Sequence, residues 1–227
     1  MTFTALGDTA VVVTLGSDIN ESALGRVRAL TAALEHARLS GVVDVVPAYA
    51  TVAVFYEPAR LGEGNEPPFA RLCRLITQCA AKAEAKIAPT RKMEIPVCYG
   101  GEFGPDLEEV AAGAGLSAAK ASALHCDANY LVHAIGFAPG FSYLGGLPEK
   151  LHTPRRPTPR ISVPAGSVGI GGAQTGIYPL VTPGGWQLIG RTPLALFRPG
   201  EAEPALLRVG DRVKFRAITL EEFAAWK

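Results

Sequence analysis

The chain has 227 residues, of which 19% are charged, and its formal net charge is +1. This length allows one large domain or two small ones, with a hydrophobic core that needs no disulfide or metal for stability. The charge balance excludes a global field that would steer the protein to nucleic acid or to an anionic membrane, and a hydrophobic content of 48% excludes a disordered chain.

The first third of the chain alternates between strand and helix signals. Four runs, each bounded by turn residues, predict strands, namely residues 9–15, 42–46, 51–56 and 92–99. One amphipathic stretch begins at the capping residue Asn20; another begins near Pro68 and carries an apolar stripe through Ala83 and Ile87. This β-α-β-β-α-β order predicts a small sheet with helices on one face, in a domain that ends near Thr90.

The remainder of the chain has a different pattern of predicted elements. Residues 104–125 predict two short helices, with Pro105 at the start of the first and Ser117 as the cap of the second. Short strands separated by turn signals are typical of a β-barrel or sandwich, and we predict them at residues 129–137, 167–172, 175–181, 186–190 and 210–218. The capping-box pattern Thr219-x-x-Glu222 then opens a C-terminal helix.

Targeting and redox signals favour a cytoplasmic protein. The first residues lack the basic and apolar regions of a signal peptide, and no apolar stretch approaches the roughly 20 residues that span a bilayer. The four cysteines form no CxxC pair. We therefore interpret them as reduced thiols in a protein that meets neither membrane nor nucleic acid.

A glycine- and proline-rich segment spans residues 133–193 and holds twelve of the 25 glycines and nine of the 18 prolines. Its acidic complement is Glu149 alone, whereas four of its basic residues are arginines: Arg155, Arg156, Arg160 and Arg191. Guanidinium groups suit carboxylate or phosphate, and flanking prolines order a loop before it binds. The segment predicts a rigid site for an anion or an acidic partner; the alternative is a set of solvated surface charges.

Common catalytic and cofactor motifs do not match this segment. The run "GSVGIGG" lacks the lysine of a P-loop and the spacing of a dinucleotide fingerprint, so we interpret its glycines as tight strand corners. Neither HExxH nor a cysteine ligand set indicates a metal, and Ser167 has no nucleophile-elbow context. His133 lies in a predicted strand, where it is either a satisfied core residue or an acid or base that titrates near neutrality.

Several stretches resemble the allophanate hydrolase subunit 1 family. They are "GFAPGFSYLGG", the ungapped run from "TPRRPTPRISVP" to "GRTPLALF", and the early "GDTAVVV" with "VVPAYATVAVFY". The resemblance covers nearly the whole chain. It implies an α+β fold, with a small N-terminal α/β sandwich over residues 1–90 and a cyclophilin-like β-barrel domain over residues 91–227. A cyclophilin-like shape does not imply prolyl isomerase activity.

The same resemblance implies a function. The family includes the B subunit of an ATP-dependent 5-oxoprolinase, which opens 5-oxo-L-proline to L-glutamate together with two partners: a second cyclophilin-like protein (the C subunit) and a lactam-opening protein (the A subunit). The alternative within the family is a KipI-like protein that inhibits a sensor histidine kinase by binding its dimerisation helices. Since the sequence shows no nucleotide motif of its own, we expect ATP to be shared with one of the partners, and we expect no metal site.

We place the site for a small acidic substrate in the glycine- and proline-rich segment. As catalytic residues we predict His133, Arg155 and Arg160. Other residues of the segment supply guanidinium, aromatic or amide groups, or permit close approach of the backbone. The predicted substrate-binding residues are Phe137, Pro139, Phe141, Tyr143, Arg156, Gln174, Tyr178, Gly184, Gly185, Trp186 and Arg191.

Overall fold

A computed structural model describes residues 1–61, 66–82 and 90–226. It divides into two compact units, Met1–Pro89 and Thr90–Lys227. The stripe positions Ala83 and Ile87 lie outside the described residues. No helix in the described ranges is long and apolar enough to cross a membrane.

The first unit is an antiparallel sheet with helices. Its elements are β1 (Thr2–Ala5), β2 (Ala10–Thr14), α1 (Glu21–Ala37), β3 (Val42–Ala48), β4 (Thr51–Tyr56), α2 (Pro58–Leu61) and α3 (Pro68–Lys82). The strand order is β1-β2-β4-β3. The sequence pattern missed β1, because this strand is short and mostly exposed and so has no apolar alternation.

Both long helices of the first unit share one core with the sheet. Val11 and Val54 are fully buried on neighbouring strands, and they cluster with Leu30 of α1 and Leu72 of α3. Helix α1 is capped by Asn20, whose side chain accepts a hydrogen bond from the Ala23 N–H at 2.8 Å. The cap therefore stabilises the start of the predicted helix, and the spacing of its apolar residues places them on the side that faces the sheet.

The second unit is built around a closed barrel. Its elements are β5 (Lys92–Tyr99), α4 (Leu107–Gly113), α5 (Ala118–Asp127), β6 (Tyr130–Ile135), β7 (Ser142–Gly145), a 3₁₀ turn (Glu149–Leu151), β8 (Arg160–Val163), β9 (Ser167–Gly171), β10 (Gln174–Ile177), β11 (Thr182–Gly184), β12 (Gln187–Arg191), β13 (Arg212–Ala217) and α6 (Leu220–Ala225). Its strands run β6-β13-β5-β12-β9-β10-β7, and β7 closes the barrel by pairing with β6. The predicted α+β fold with a β-barrel is confirmed.

Two strand predictions need correction. The sequence pattern groups residues 92–99 with the N-terminal sheet, but as β5 they pair with β12 and β13 of the barrel. The strand predicted at 175–181 ends at Ile177, since Pro179 cannot donate to a ladder. The chain then forms β11, which pairs with β8 in a separate two-stranded sheet. A local pattern identifies an extended segment but does not identify its partner.

The four cysteines are free thiols in the structure. Burial raises the pKa of Cys73, Cys79 and Cys98. These thiols therefore stay protonated near neutral pH, which makes them poor nucleophiles.

Candidate functional site

A pocket of about 350 Å³ opens in the second unit beside β11. We call it the aromatic pocket, because five of its eleven lining residues are aromatic. Its lining residues are Phe137, Phe141, Tyr143, Arg155, Arg156, Pro159, Tyr178, Pro183, Gly184, Gly185 and Trp186. The segments "GFAPGFSYLGG" and "TPGGWQL", which are far apart in the chain, thus line the same cavity.

Phe141 is the centre of the aromatic pocket. Its ring makes edge contacts with Tyr143, Tyr178 and Trp186, at centroid distances of 4.8, 5.0 and 5.5 Å. Phe141 and Tyr178 are almost fully buried, whereas Phe137 is 66% exposed. Since edge-to-face contacts fix the relative orientation of rings, the floor of the pocket is rigid and Phe137 forms part of its mouth.

Phe137 adopts an unusual backbone conformation. Its φ angle is 71°, in the left-handed region that favours glycine. The turn is held by hydrogen bonds from the Gly136 N–H to the Phe141 carbonyl and from the Phe141 N–H to the Ala138 carbonyl. An exposed aromatic held in a strained conformation is the kind of feature that accompanies binding sites.

Glycines in β9 and β10 make room for Trp186. A Cβ atom at Gly171 would lie 2.6 Å from the indole, and one at Gly176 would lie 3.0 Å from it. Our interpretation of "GSVGIGG" as strand corners holds for Gly172, where φ is 66°. It is wrong for Gly169 and Gly171, which lie within β9.

The arginines of the segment differ in their surroundings. Arg155 is exposed, and its guanidinium carbon lies 5.8 Å from the centroid of the Trp186 ring. Arg156 and Arg160 instead donate to one carboxylate oxygen of Asp106, at 3.1 and 2.7 Å. Arg191 lies outside the aromatic pocket, where its Nε donates to the Ala165 carbonyl at 2.8 Å.

Sequence reasoning missed Asp106. This residue is 4% exposed, and its second carboxylate oxygen accepts a hydrogen bond from the Leu188 N–H at 2.6 Å. In the sequence, Asp106 is part of a helix start, and its arginine partners lie 50 and 54 positions further along the chain. No local sequence pattern connects residues so far apart, so only the folded structure could reveal that they pair.

The Tyr178 hydroxyl is a neutral polar group of the pocket wall. Burial raises the pKa of this phenol, although a backbone hydrogen bond at Trp186 and the charge of Arg155 act in the opposite direction. Tyr178 therefore stays protonated at neutral pH. The absence of a Cβ at Gly184 allows the backbone to approach this hydroxyl closely.

Nine of the predicted site residues line the aromatic pocket, and five do not: His133, Pro139, Arg160, Gln174 and Arg191. His133 lies in β6 with its ring against Gly145, Pro139 is exposed, and Gln174 begins β10. The pocket also contains Pro159 and Pro183, which the sequence pattern did not single out. In the described part of the chain, no group of three or more His, Cys, Asp or Glu residues could hold a metal ion.

Comparisons with known proteins confirm the family resemblance. Residues 1–207 match the family described as "Carboxyltransferase domain, subdomain C and D". The 5-oxoprolinase B subunit of Bacillus subtilis (strain 168) is 48% identical over 98% of this chain and 95% of its own length. That of Escherichia coli O157:H7 is 46% identical over 92% and 93%. The crystal structure of TTHA0988 has a TM-score of 0.80 at 42% identity, and the match covers 92% of this chain and 40% of that longer chain. The chain therefore belongs to the carboxyltransferase subdomain C and D family, the family of the 5-oxoprolinase B subunits.

Proposed function

We propose that this protein is the B subunit of an ATP-dependent 5-oxoprolinase, which converts 5-oxo-L-proline to L-glutamate with partner proteins in the cytoplasm. The observation that carries the proposal is the 48% identity to the Bacillus subtilis B subunit across nearly the full length of both chains. Such coverage includes the segment that forms the aromatic pocket. The partners would be the lactam-opening protein and a second cyclophilin-like protein.

The aromatic pocket suits a small ring that carries one carboxylate. Its volume of about 350 Å³ lies within the range of small-molecule sites. The rings of Phe141 and Trp186 offer an apolar surface for a five-membered ring, and Arg155 offers a guanidinium for the carboxylate. A groove for a kinase helix would be longer and would carry several apolar anchors at helical spacing, so this geometry favours the small acid.

The aromatic pocket does not suit the triphosphate of ATP. The glycines of β9, which would have to cradle phosphates, lie against Trp186 instead. The described residues of the pocket wall therefore offer no phosphate loop, and we assign ATP to a site made by or shared with the partner proteins. The contribution of this chain would be to bind and orient the ring acid, and we assign Arg155 to the carboxylate. His133 and Arg160, which the sequence predicted as catalytic, do not line the pocket, so we assign them no contact with the ligand.

Reconstitution tests the proposal. The purified chain alone should release no glutamate from 5-oxoproline and ATP, and addition of the lactam-opening and second cyclophilin-like proteins should restore turnover. Each of the three proteins is omitted in turn as a control, and glutamate and ADP are both measured. Turnover by this chain alone, or equal turnover by the two partners without it, would show that the proposed role is wrong.

A further inference from the structure

We infer that Asp106 divides the arginines beside the aromatic pocket into two roles. It fixes Arg156 in the wall and Arg160 beside it, and it leaves Arg155 as the guanidinium that receives the carboxylate of the bound acid. Asp106 is then a positioning residue that never touches the ligand. The inference rests on the proposed function for the identity of the ligand, but its geometric basis is independent of that function.

The bonding of Asp106 supports the first role. Its side chain is only 6% exposed, and both of its oxygens accept hydrogen bonds: one from Arg156 and Arg160, the other from the Leu188 N–H. A buried carboxylate without these partners would be strongly destabilising, because it would lose its hydration and gain nothing in return. Asp106 therefore holds both guanidiniums against the start of β12.

Further hydrogen bonds, from backbone and side-chain donors, continue this attachment around the pocket. The Arg156 N–H donates to the Gly185 carbonyl at 2.7 Å, and an Nη of Arg160 lies 3.4 Å from the Trp186 carbonyl. The side-chain amide of Gln187 donates to the Pro154 carbonyl at 3.1 Å. Residues 154–160 are thus tied to residues 185–187 at several points. The backbone that carries Arg155 lies inside this tied segment and has little freedom to move.

Arg155 itself has the properties expected of a ligand-binding group. It lines the pocket, it is exposed, and no salt bridge joins it to an acidic side chain within the described ranges. None of the described residues that line the pocket is acidic. Because Arg156 and Arg160 share one carboxylate, the wall also keeps a positive potential, which favours an anion beside Arg155.

A matched pair of ligands and variants tests this assignment in the reconstituted complex. Calorimetric titration compares 5-oxoproline with 2-pyrrolidinone, the same lactam ring without the carboxylate. Arg155→Ala should lower affinity for 5-oxoproline by about ten- to a hundredfold, the loss expected for a charge-assisted hydrogen bond, and leave affinity for 2-pyrrolidinone and the thermal midpoint unchanged. Equal binding of 5-oxoproline by Arg155→Ala and the wild type would overturn the assignment.

Asp106→Asn tests the positioning role. It should reduce the preference for 5-oxoproline over 2-pyrrolidinone and also lower the thermal midpoint. Asp211→Asn is the matched control: Asp211 is also 4% exposed, pairs with Arg91 and accepts from the Arg208 N–H at 2.8 Å, but none of these residues lines the pocket. This control should lower the midpoint and keep the ligand preference. If Asp106→Asn keeps the wild-type preference, Asp106 is merely structural.

Two further measurements keep the inference separable from folding and from the proposed substrate. Should Asp106→Asn fail to fold, Arg160→Gln weakens the same attachment while Arg156 still neutralises Asp106. This variant should reduce the preference for 5-oxoproline over 2-pyrrolidinone several-fold, and an unchanged preference would contradict the positioning role.

The wild-type complex could instead bind L-proline or another ring carboxylate but not 5-oxoproline. If the Arg155 and Asp106 variants then weaken binding of that acid as described for 5-oxoproline, the proposed substrate is wrong and the division of the arginines stands. Binding of no ring carboxylate would overturn both.

Discussion

His125 illustrates how burial determines the chemistry of a single side chain. It is fully buried, with Tyr99 Oη 2.7 Å from Nδ1 and Thr175 Oγ1 3.0 Å from Nε2. The Thr175 hydroxyl donates its proton to the Gly169 carbonyl at 3.0 Å. Thr175 must therefore accept from Nε2–H, and Nδ1 accepts from Tyr99. Burial lowers the pKa of His125 to about 3, so the ring is neutral in the folded protein.

We predict that His125 makes stability fall in mild acid. The folded-state pKa of about 3 lies below the ordinary value of 6.5. Between about pH 3 and pH 6.5, His125 is therefore protonated in the unfolded chain but neutral in the folded chain. The sign is therefore a loss of stability as pH falls below about 6.5, and this one group should cost about 2 kcal/mol between pH 7.5 and pH 5.

His125→Gln provides the comparison, because glutamine can accept and donate without titrating. Urea unfolding at each pH should show the free-energy gap between wild type and variant shrinking by about 2 kcal/mol from pH 7.5 to pH 5. A gap that stays constant over this range would mean that His125 is not the group responsible.

Strand β9 shows how one element shapes the site through what its residues lack. Gly169 and Gly171 lie two positions apart and therefore face the same side of the strand, towards Trp186. Side chains at these positions would occupy the space of the indole. Because these two glycines have no side chain, Trp186 can lie close enough to Phe141 to form the floor of the aromatic pocket.

Gly171→Ala should displace the indole. The added methyl would lie 2.6 Å from the ring of Trp186, and Gly171 has an ordinary φ angle, so the expected effect is steric alone. We expect a loss of about 1–3 kcal/mol in unfolding free energy and weaker binding of 5-oxoproline by the complex. Gly113→Ala, at the end of α4 with nothing within 4 Å of the new methyl, is the control and should be neutral or slightly stabilising. Equal stability of both variants in urea would contradict this account.

At the scale of the whole molecule, the barrel depends on a strand from near the end of the described chain. β13 lies between β6 and β5, antiparallel to the first and parallel to the second. Its Val213 and Phe215 are almost fully buried in the barrel core. By contrast, the following helix α6 has no buried residue. The two C-terminal elements should therefore contribute very differently to folding.

Two truncations test this difference. A chain that ends at Gly210 lacks β13, which leaves unpaired strand edges on β5 and β6 and an open core. Its second unit should therefore lose its cooperative thermal transition, so that only the contribution of the first unit remains in the circular dichroism melt. A chain that ends at Ile218 lacks α6 alone and should keep a cooperative transition at a somewhat lower temperature. A transition of the shorter chain with the full amplitude and the midpoint of the longer one would contradict the role given to β13.

The sequence by itself determined the features that depend on neighbours along the chain. The caps at Asn20, Ser117 and Thr219 each accept from an N–H three residues later, as their patterns predicted. The family could also be recognised from the sequence, because the resemblance extends over long ungapped stretches of the chain. The glycine- and proline-rich segment supplied all eleven lining residues of the aromatic pocket for a related reason: loops with fixed backbone and aromatic residues are suited to form cavities.

Tertiary structure alone decided which distant groups meet. The partners of β5, the contact of Trp186 with the glycines of β9, and the ion pairs of Asp106 all join positions well separated in the chain. Composition can show that arginines outnumber acids within one segment, but a carboxylate about fifty residues earlier pairs with two of them in the folded chain. Charge balance at a site depends on distances of a few ångströms, and only the folded chain sets those distances.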